Sequence, residues 1–212
     1  MNNRVKKNKF LNAVTNIGTW IANFFYLQLF WILYSVKGLL VLGIFPATFA
    51  AVQVIYKWFE NMEFDFSIHE TFKASYNEGF KRANIVGYIS LLVVAILYVD
   101  LRISNVFIQS IFLHTMLLFF SFAVLSVGLY LFTVMSRYEY SVKHIFKQSF
   151  FVALATPINT LAAGVALILA VALLSNFLFL AIFFGVPIIL MPIVWFTYSG
   201  ILAAESKKAS VE

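Results

Sequence analysis

The residues in this chain that could do chemistry are few. Three histidines, His69, His114 and His144, stand too far apart in sequence to share a metal along one helix face, where ligand pairs fall three or four residues apart. There is no cysteine, which removes disulfides, thiolate metal ligands and a thiol nucleophile. No glycine-rich phosphate loop, HExxH pair or serine–histidine–acid set occurs. Acidic residues also avoid the middles of the apolar segments, whereas proton- and sodium-coupled pathways usually rely on buried carboxylates. These absences predict a non-enzymatic protein with no catalytic residues, no metal ligands and no cofactor.

Three polar residues are left as candidates for contact with something other than lipid. His114 falls inside an apolar segment, where an ionisable group is costly; it reads either as a neutral imidazole bonded to a neighbouring helix or as part of a proton path. Asp100 and Arg102 stand where an apolar helix should reach the outer surface, with Tyr98, Asn105 and Phe107 nearby. They read either as an interfacial pair that stabilises the helix end or as a polar contact for a sugar or a partner's outer loop.

The elements that must position these residues are membrane helices. The 212 residues are 62% apolar and 11% charged, against about half and a quarter in a soluble domain. About 20 helical residues cross a bilayer, so the chain has room for six crossings and no soluble domain. We therefore expect an all-α polytopic bundle forming a single integral membrane domain over residues 1–212. The net charge of +6 speaks for headgroups rather than nucleic acid, because the cations lie between the hydrophobic segments.

Residues 20–58 are too long for one crossing and are broken at Lys37-Gly38 and at Gly43-Ile44-Phe45-Pro46. They read as a helical hairpin whose second leg begins at Pro46, since proline suits the first helical turn. That leg, 47–58, is short enough to be re-entrant. Residues 59–82 then read as a cytoplasmic amphipathic helix on the membrane surface, opened by a capping box at Ser67 and Glu70, with Phe72, Tyr76 and Phe80 in its apolar stripe. Four crossings should follow within 83–202, at about 83–99, 106–135, 150–174 and 177–202. In this arrangement every Lys and Arg except Lys37 and Arg102 lies on one side, which predicts cytoplasmic N- and C-termini.

Several stretches at these positions resemble the YesL family of bacterial membrane proteins. They are Gly43-Ile44-Phe45-Pro46-Ala47-Thr48 followed by Lys57-Trp58, Thr71-Phe72-Lys73 through Phe80-Lys81-Arg82-Ala83-Asn84, Leu97 to Arg102, and Arg137-Tyr138-Glu139. The resemblance covers about residues 20–150 and marks Gly43, Phe45, Pro46, Thr48, Lys57, Trp58 and Asn84 as family-motif positions. It implies a multi-pass protein of the bacterial cell membrane. Such proteins are often encoded beside sugar-uptake ABC transporters and glycoside hydrolases, which implies a link to carbohydrate import. The expectation is therefore a non-catalytic accessory to a sugar ABC transporter permease, with an independent small-molecule transporter or channel as the alternative. A partner surface is expected at Phe72, Phe80, Arg82, Arg137 and Glu139, where aromatic anchors and arginines share the cytoplasmic face. No feature of the sequence fixes an oligomeric state.

Overall fold

A computed structural model describes residues 2–61 and 66–209, with side chains from Gly18 onward apart from Asn61 and Phe107. The described elements are helices: α1 (Asn2–Lys37), α2 (Ile44–Asn61), α3 (Ile68–Ile103), a π-helical turn (Ser104–Ile108), α4 (Ile111–Arg137), α5 (Val142–Ala155), α6 (Pro157–Asn176) and α7 (Leu178–Ala209). Five described segments are long and apolar enough to cross a bilayer, at Gly18–Lys37, Ile68–Val106, Ile111–Arg137, Pro157–Asn176 and Leu178–Ala209. The all-α polytopic expectation therefore holds, but α2 is not among these five.

What α2 does instead is fill the centre. It packs on α1, α3, α4 and α7, and Ala47, Ala50, Ala51, Val54 and Ile55 have no exposed surface. Small residues one turn apart let neighbouring backbones come close, which is how helices associate where lipid is as apolar as leucine. The short second leg expected at 47–58 is thus an 18-residue core helix that starts at Ile44, with Pro46 inside its first turn.

The separate surface helix at 59–82 is a further correction. Residues 59–61 end α2, residues 62–65 lie outside the described residues, and 68–82 join the third crossing as one helix of 36 residues, about 54 Å long. The serine half of the capping box forms: the Ser67 hydroxyl accepts from the Glu70 amide at 3.3 Å. The apolar stripe, however, faces protein and not lipid. Phe72 is fully buried between Phe30 and Tyr34 of α1, and Tyr76 donates to the Tyr34 carbonyl.

The amphipathic role falls instead to α5, which begins before the fifth crossing expected at 150–174 and takes up its first residues. Thr156 precedes Pro157, which disfavours helical geometry at 156 and brings no amide hydrogen of its own. Thr156 accordingly leaves the helix (φ −131°, ψ 63°). Its amide and hydroxyl both donate to the Val152 carbonyl, and the Thr160 hydroxyl donates to the Ala153 carbonyl that Pro157 cannot serve, so the freed acceptor is not left bare. Helix α5 buries Ile145, Ser149, Val152 and Ala153 and exposes Lys143, His144 and Lys147. It begins beside Arg137, and its last carbonyl, Ala155, accepts from Lys207 near the end of α7. Both ends of α5 therefore lie at one end of the bundle, and the crossing proper is α6.

Candidate functional site

That end of the bundle is organised by Arg137, the last residue of α4. Its Nε and Nη2 donate to the two carboxylate oxygens of Glu205 on α7 at 3.3 and 3.2 Å, a bidentate pairing that fixes direction as well as charge. Its Nη1 reaches Glu60 and the Tyr56 hydroxyl, both on α2, at 3.4 and 3.3 Å. One guanidinium thus ties three helices together. Tyr138 also donates to Glu205. Burial first, then that hydrogen bond, pushes the Tyr138 phenol well above its usual range, so it remains a donor at any physiological pH.

Beside this network opens a recess of about 320 Å³ between α2, α3 and the segment after α4. Its polar lining includes Gln53, Ser75, Glu78, Arg82, Arg137 and Glu139. The Gln53 Oε1 and Arg82 Nε atoms are buried there without a protein partner. The two ion pairs found among the described residues both belong to Arg137, so Arg82, Glu78 and Glu139 carry charges that no ion pair neutralises. This arrangement suits recognition of a polar or charged group brought from outside. Among the described residues no three His, Asp or Glu side chains are grouped to hold a metal.

Of the residues expected at a partner surface, Arg82, Arg137 and Glu139 do converge on this recess. Phe72 does not: with no exposed surface, it is part of the core and cannot be a docking anchor. Phe80 is half-buried against Tyr76, with ring centroids 5.5 Å apart. Gln53 and Glu78 were not singled out by sequence. Gln53 sits one turn from Lys57 on a helix otherwise rich in alanine and valine, and that isolated amide was the available signal.

At the opposite end the polar candidates scatter. Asp100 and Arg102 are two residues apart on a helix and so point to different sides; Arg102 turns back to the Tyr98 hydroxyl at 3.1 Å and lies over its ring. His114 lies inside the fourth crossing as expected, in the first turn of α4, with Nδ1 buried and unpartnered.

The family-motif positions gather around the α1–α2 hairpin. Gly43 passes so close to the backbone of Ser35 that a Cβ would collide with it. The Phe45 ring covers Gly87 and meets Tyr88 edge-on at 5.0 Å. Buried Pro46 stands in the first turn of α2. Trp31 donates to the Thr48 hydroxyl at 3.1 Å, and Thr48 donates to the Ile44 carbonyl at 2.8 Å. Lys57 lies over Phe66, and Trp58 stacks on Phe24. Asn84 of α3 donates to the carbonyls of Leu42 and Phe80, each at 3.0 Å.

The family profile described as "Protein of unknown function, DUF624" matches residues 24–101, the hairpin and α3. A Bacillus subtilis (strain 168) protein described as uncharacterized protein YesL is 30% identical over 167 residues, 76% of this chain and 78% of its own. The chain belongs to the YesL family. A second Bacillus subtilis (strain 168) relative, uncharacterized protein YteU, is 28% identical over 192 residues, 88% of this chain and 84% of its own. No solved structure matches at a significant level. Membership of the YesL family thus rests on both halves of the chain, while the profile itself falls on the half where the hairpin is locked to α3.

Proposed function

We propose that this protein is a non-catalytic membrane accessory to a carbohydrate ABC transporter, acting in its assembly, stability or regulation from the bacterial cell membrane, with both termini cytoplasmic. The observation that supports this reading is the recess at the Arg137 end, whose unneutralised Arg82, Glu78 and Glu139 offer a charged surface beside a rigid ion-paired scaffold. A docking surface of this kind needs a fixed frame and free charges side by side. Here Arg137 serves the frame, while Arg82 and Glu139 face the partner, a cytoplasmic loop of the permease. The carbohydrate link comes from what the YesL resemblance implies and the docking role from the recess.

The test is a mild-detergent pull-down at native expression, comparing wild type with Arg82→Gln/Glu139→Gln. The double variant keeps its membrane abundance and thermal stability but loses most of the co-purifying permease. Unchanged co-purification removes the recess from the reading. Normal sugar uptake in a deletion strain removes the accessory role altogether, and substrate flux in liposomes containing this protein alone replaces it with independent transport.

A further inference from the structure

The α1–α2 turn joins three properties that a loop in water has no reason to combine. Its side chains come first: Leu39, Leu40, Val41 and Leu42 are 81%, 53%, 66% and 48% exposed, and all are aliphatic. Exposed apolar residues occurring singly are ordinary, but four in a row at the tip of a hairpin are not.

Its backbone comes second. The amides of Gly38, Leu39, Leu40, Val41, Gly43 and Ile44 bond to the carbonyls of Tyr34, Val36, Ser35, Leu39, Leu40 and Leu40 again. The carbonyls of Val41 and Leu42 are met from α3 by the Tyr88 hydroxyl and the Asn84 amide. To close this way Leu39 and Leu40 adopt φ values of 57° and 61°, in the left-handed region that leucine rarely enters. Water would satisfy such groups without strain. Hydrocarbon cannot, so backbone within a bilayer must be satisfied by protein.

Position is the third property. Helix α3 runs fifteen residues beyond Tyr88 to Ile103, about 22 Å, and packs with α4. The turn therefore stops well short of the far end of the α3–α4 pair.

We propose that the α1–α2 hairpin is re-entrant. It enters from the face that carries Arg137, turns inside the hydrocarbon with Leu39–Leu42 against lipid acyl chains, and leaves by the same face. The occupant is lipid and not a protein, because six of the turn's amides and its Val41 and Leu42 carbonyls are already bonded within the chain and its exposed side chains can offer a partner only aliphatic surface. Lys37 at its edge has its ammonium 5.4 Å from the Tyr34 ring centre, on a stem long enough to lead toward near-leaflet headgroups. The full crossings are then α3, α4, α6 and α7.

The absence of native cysteine makes the test direct. Leu40→Cys and, as the far-end control, exposed Asn105→Cys are spin-labelled in the full chain and reconstituted in phosphatidylcholine–phosphatidylglycerol vesicles. Collisions with dissolved oxygen and with a water-soluble nickel chelate are then compared. At position 40 oxygen access exceeds nickel access several-fold, and at 105 the order reverses. Nickel access at 40 equal to that at 105 places the tip in water and overturns the proposal; low access to both reagents places it under protein and overturns it equally. In a Tyr88→Phe background the bare Val41 carbonyl draws water inward, and nickel access at 40 rises several-fold. No rise would overturn the claim that α3 seals the turn against lipid.

Discussion

The two halves of this molecule are built by different means. From α1 to α3, glycines stand where another residue's atoms fill the Cβ position: Gly43 against Ser35 and Gly87 against Phe45. Polar side chains there bond to the backbone of another helix, as Asn84 and Tyr88 do to the hairpin turn. In α6 and α7, Gly164 and Gly185 have nothing within 4 Å, and the one crowded glycine, Gly200, meets side-chain atoms of Tyr130 and Thr156 and no backbone. Polar contacts of these helices with their neighbours include hydroxyl pairs, Thr133 with Thr197 at 2.8 Å and Tyr130 with Thr160 at 3.1 Å, beside the Glu205 ion pair at the Arg137 end. Apolarity alone tells a segment to enter a membrane and says little about its neighbours. Specificity comes from close backbone approach and from backbone groups that accept one particular side chain.

Five substitutions break or sharpen that comparison. The largest effect is expected at Gly43→Ala, whose Cβ meets the Ser35 backbone: a cost of about 3 kcal/mol or more in detergent unfolding, with a fall in membrane abundance. Gly164→Ala in α6 should instead be neutral or stabilising by up to about 1 kcal/mol, since helix propensity improves and nothing is struck. Equal costs for the two would erase the distinction. Next comes Asn84→Leu, which strips the Leu42 carbonyl of its partner and should cost about 1–3 kcal/mol by the same assay.

Thr133→Val should cost only about 0.6 kcal/mol, the usual worth of one interhelical hydroxyl contact in a membrane. A loss as large as that of Asn84→Leu would show the second half to be as tightly specified as the first. Arg82→Gln is expected to change stability by less than about 0.5 kcal/mol, because no ion pair is lost, while still reducing co-purification of a transporter component. A large loss of stability would make Arg82 part of the frame and not of the docking surface.

Much of the fold was legible because membrane insertion writes itself in length and apolarity. The hairpin break at Gly43, the capping box at Ser67 and the start of a returning helix near Pro46 each follow from local chemistry. The facing of the Phe72–Tyr76 stripe did not: an amphipathic period names a buried face without naming what buries it, and here α1 and α2 do so in place of lipid. The break at Thr156-Pro157 was masked by apolar residues on both sides, although proline after threonine was a usable signal. At the candidate site, Arg82, Arg137 and Glu139 were readable as charges near one face. Which of them would be consumed by ion pairs was not, since Glu60 and Glu205 come from opposite ends of the sequence.

The Arg137 tie also sets an order in time. Glu205 follows Arg137 by 68 residues, so at roughly 5–20 residues per second of synthesis the guanidinium waits about 3–14 s for its bidentate partner. Through that interval Glu60 and Tyr56, already made, are its available companions, and α2 and α4 are joined while α7 is still absent. Helix α7 then arrives at a partly assembled bundle and joins it through one carboxylate, so the Glu205 contact can form only on a pair of helices that Arg137 has already tied.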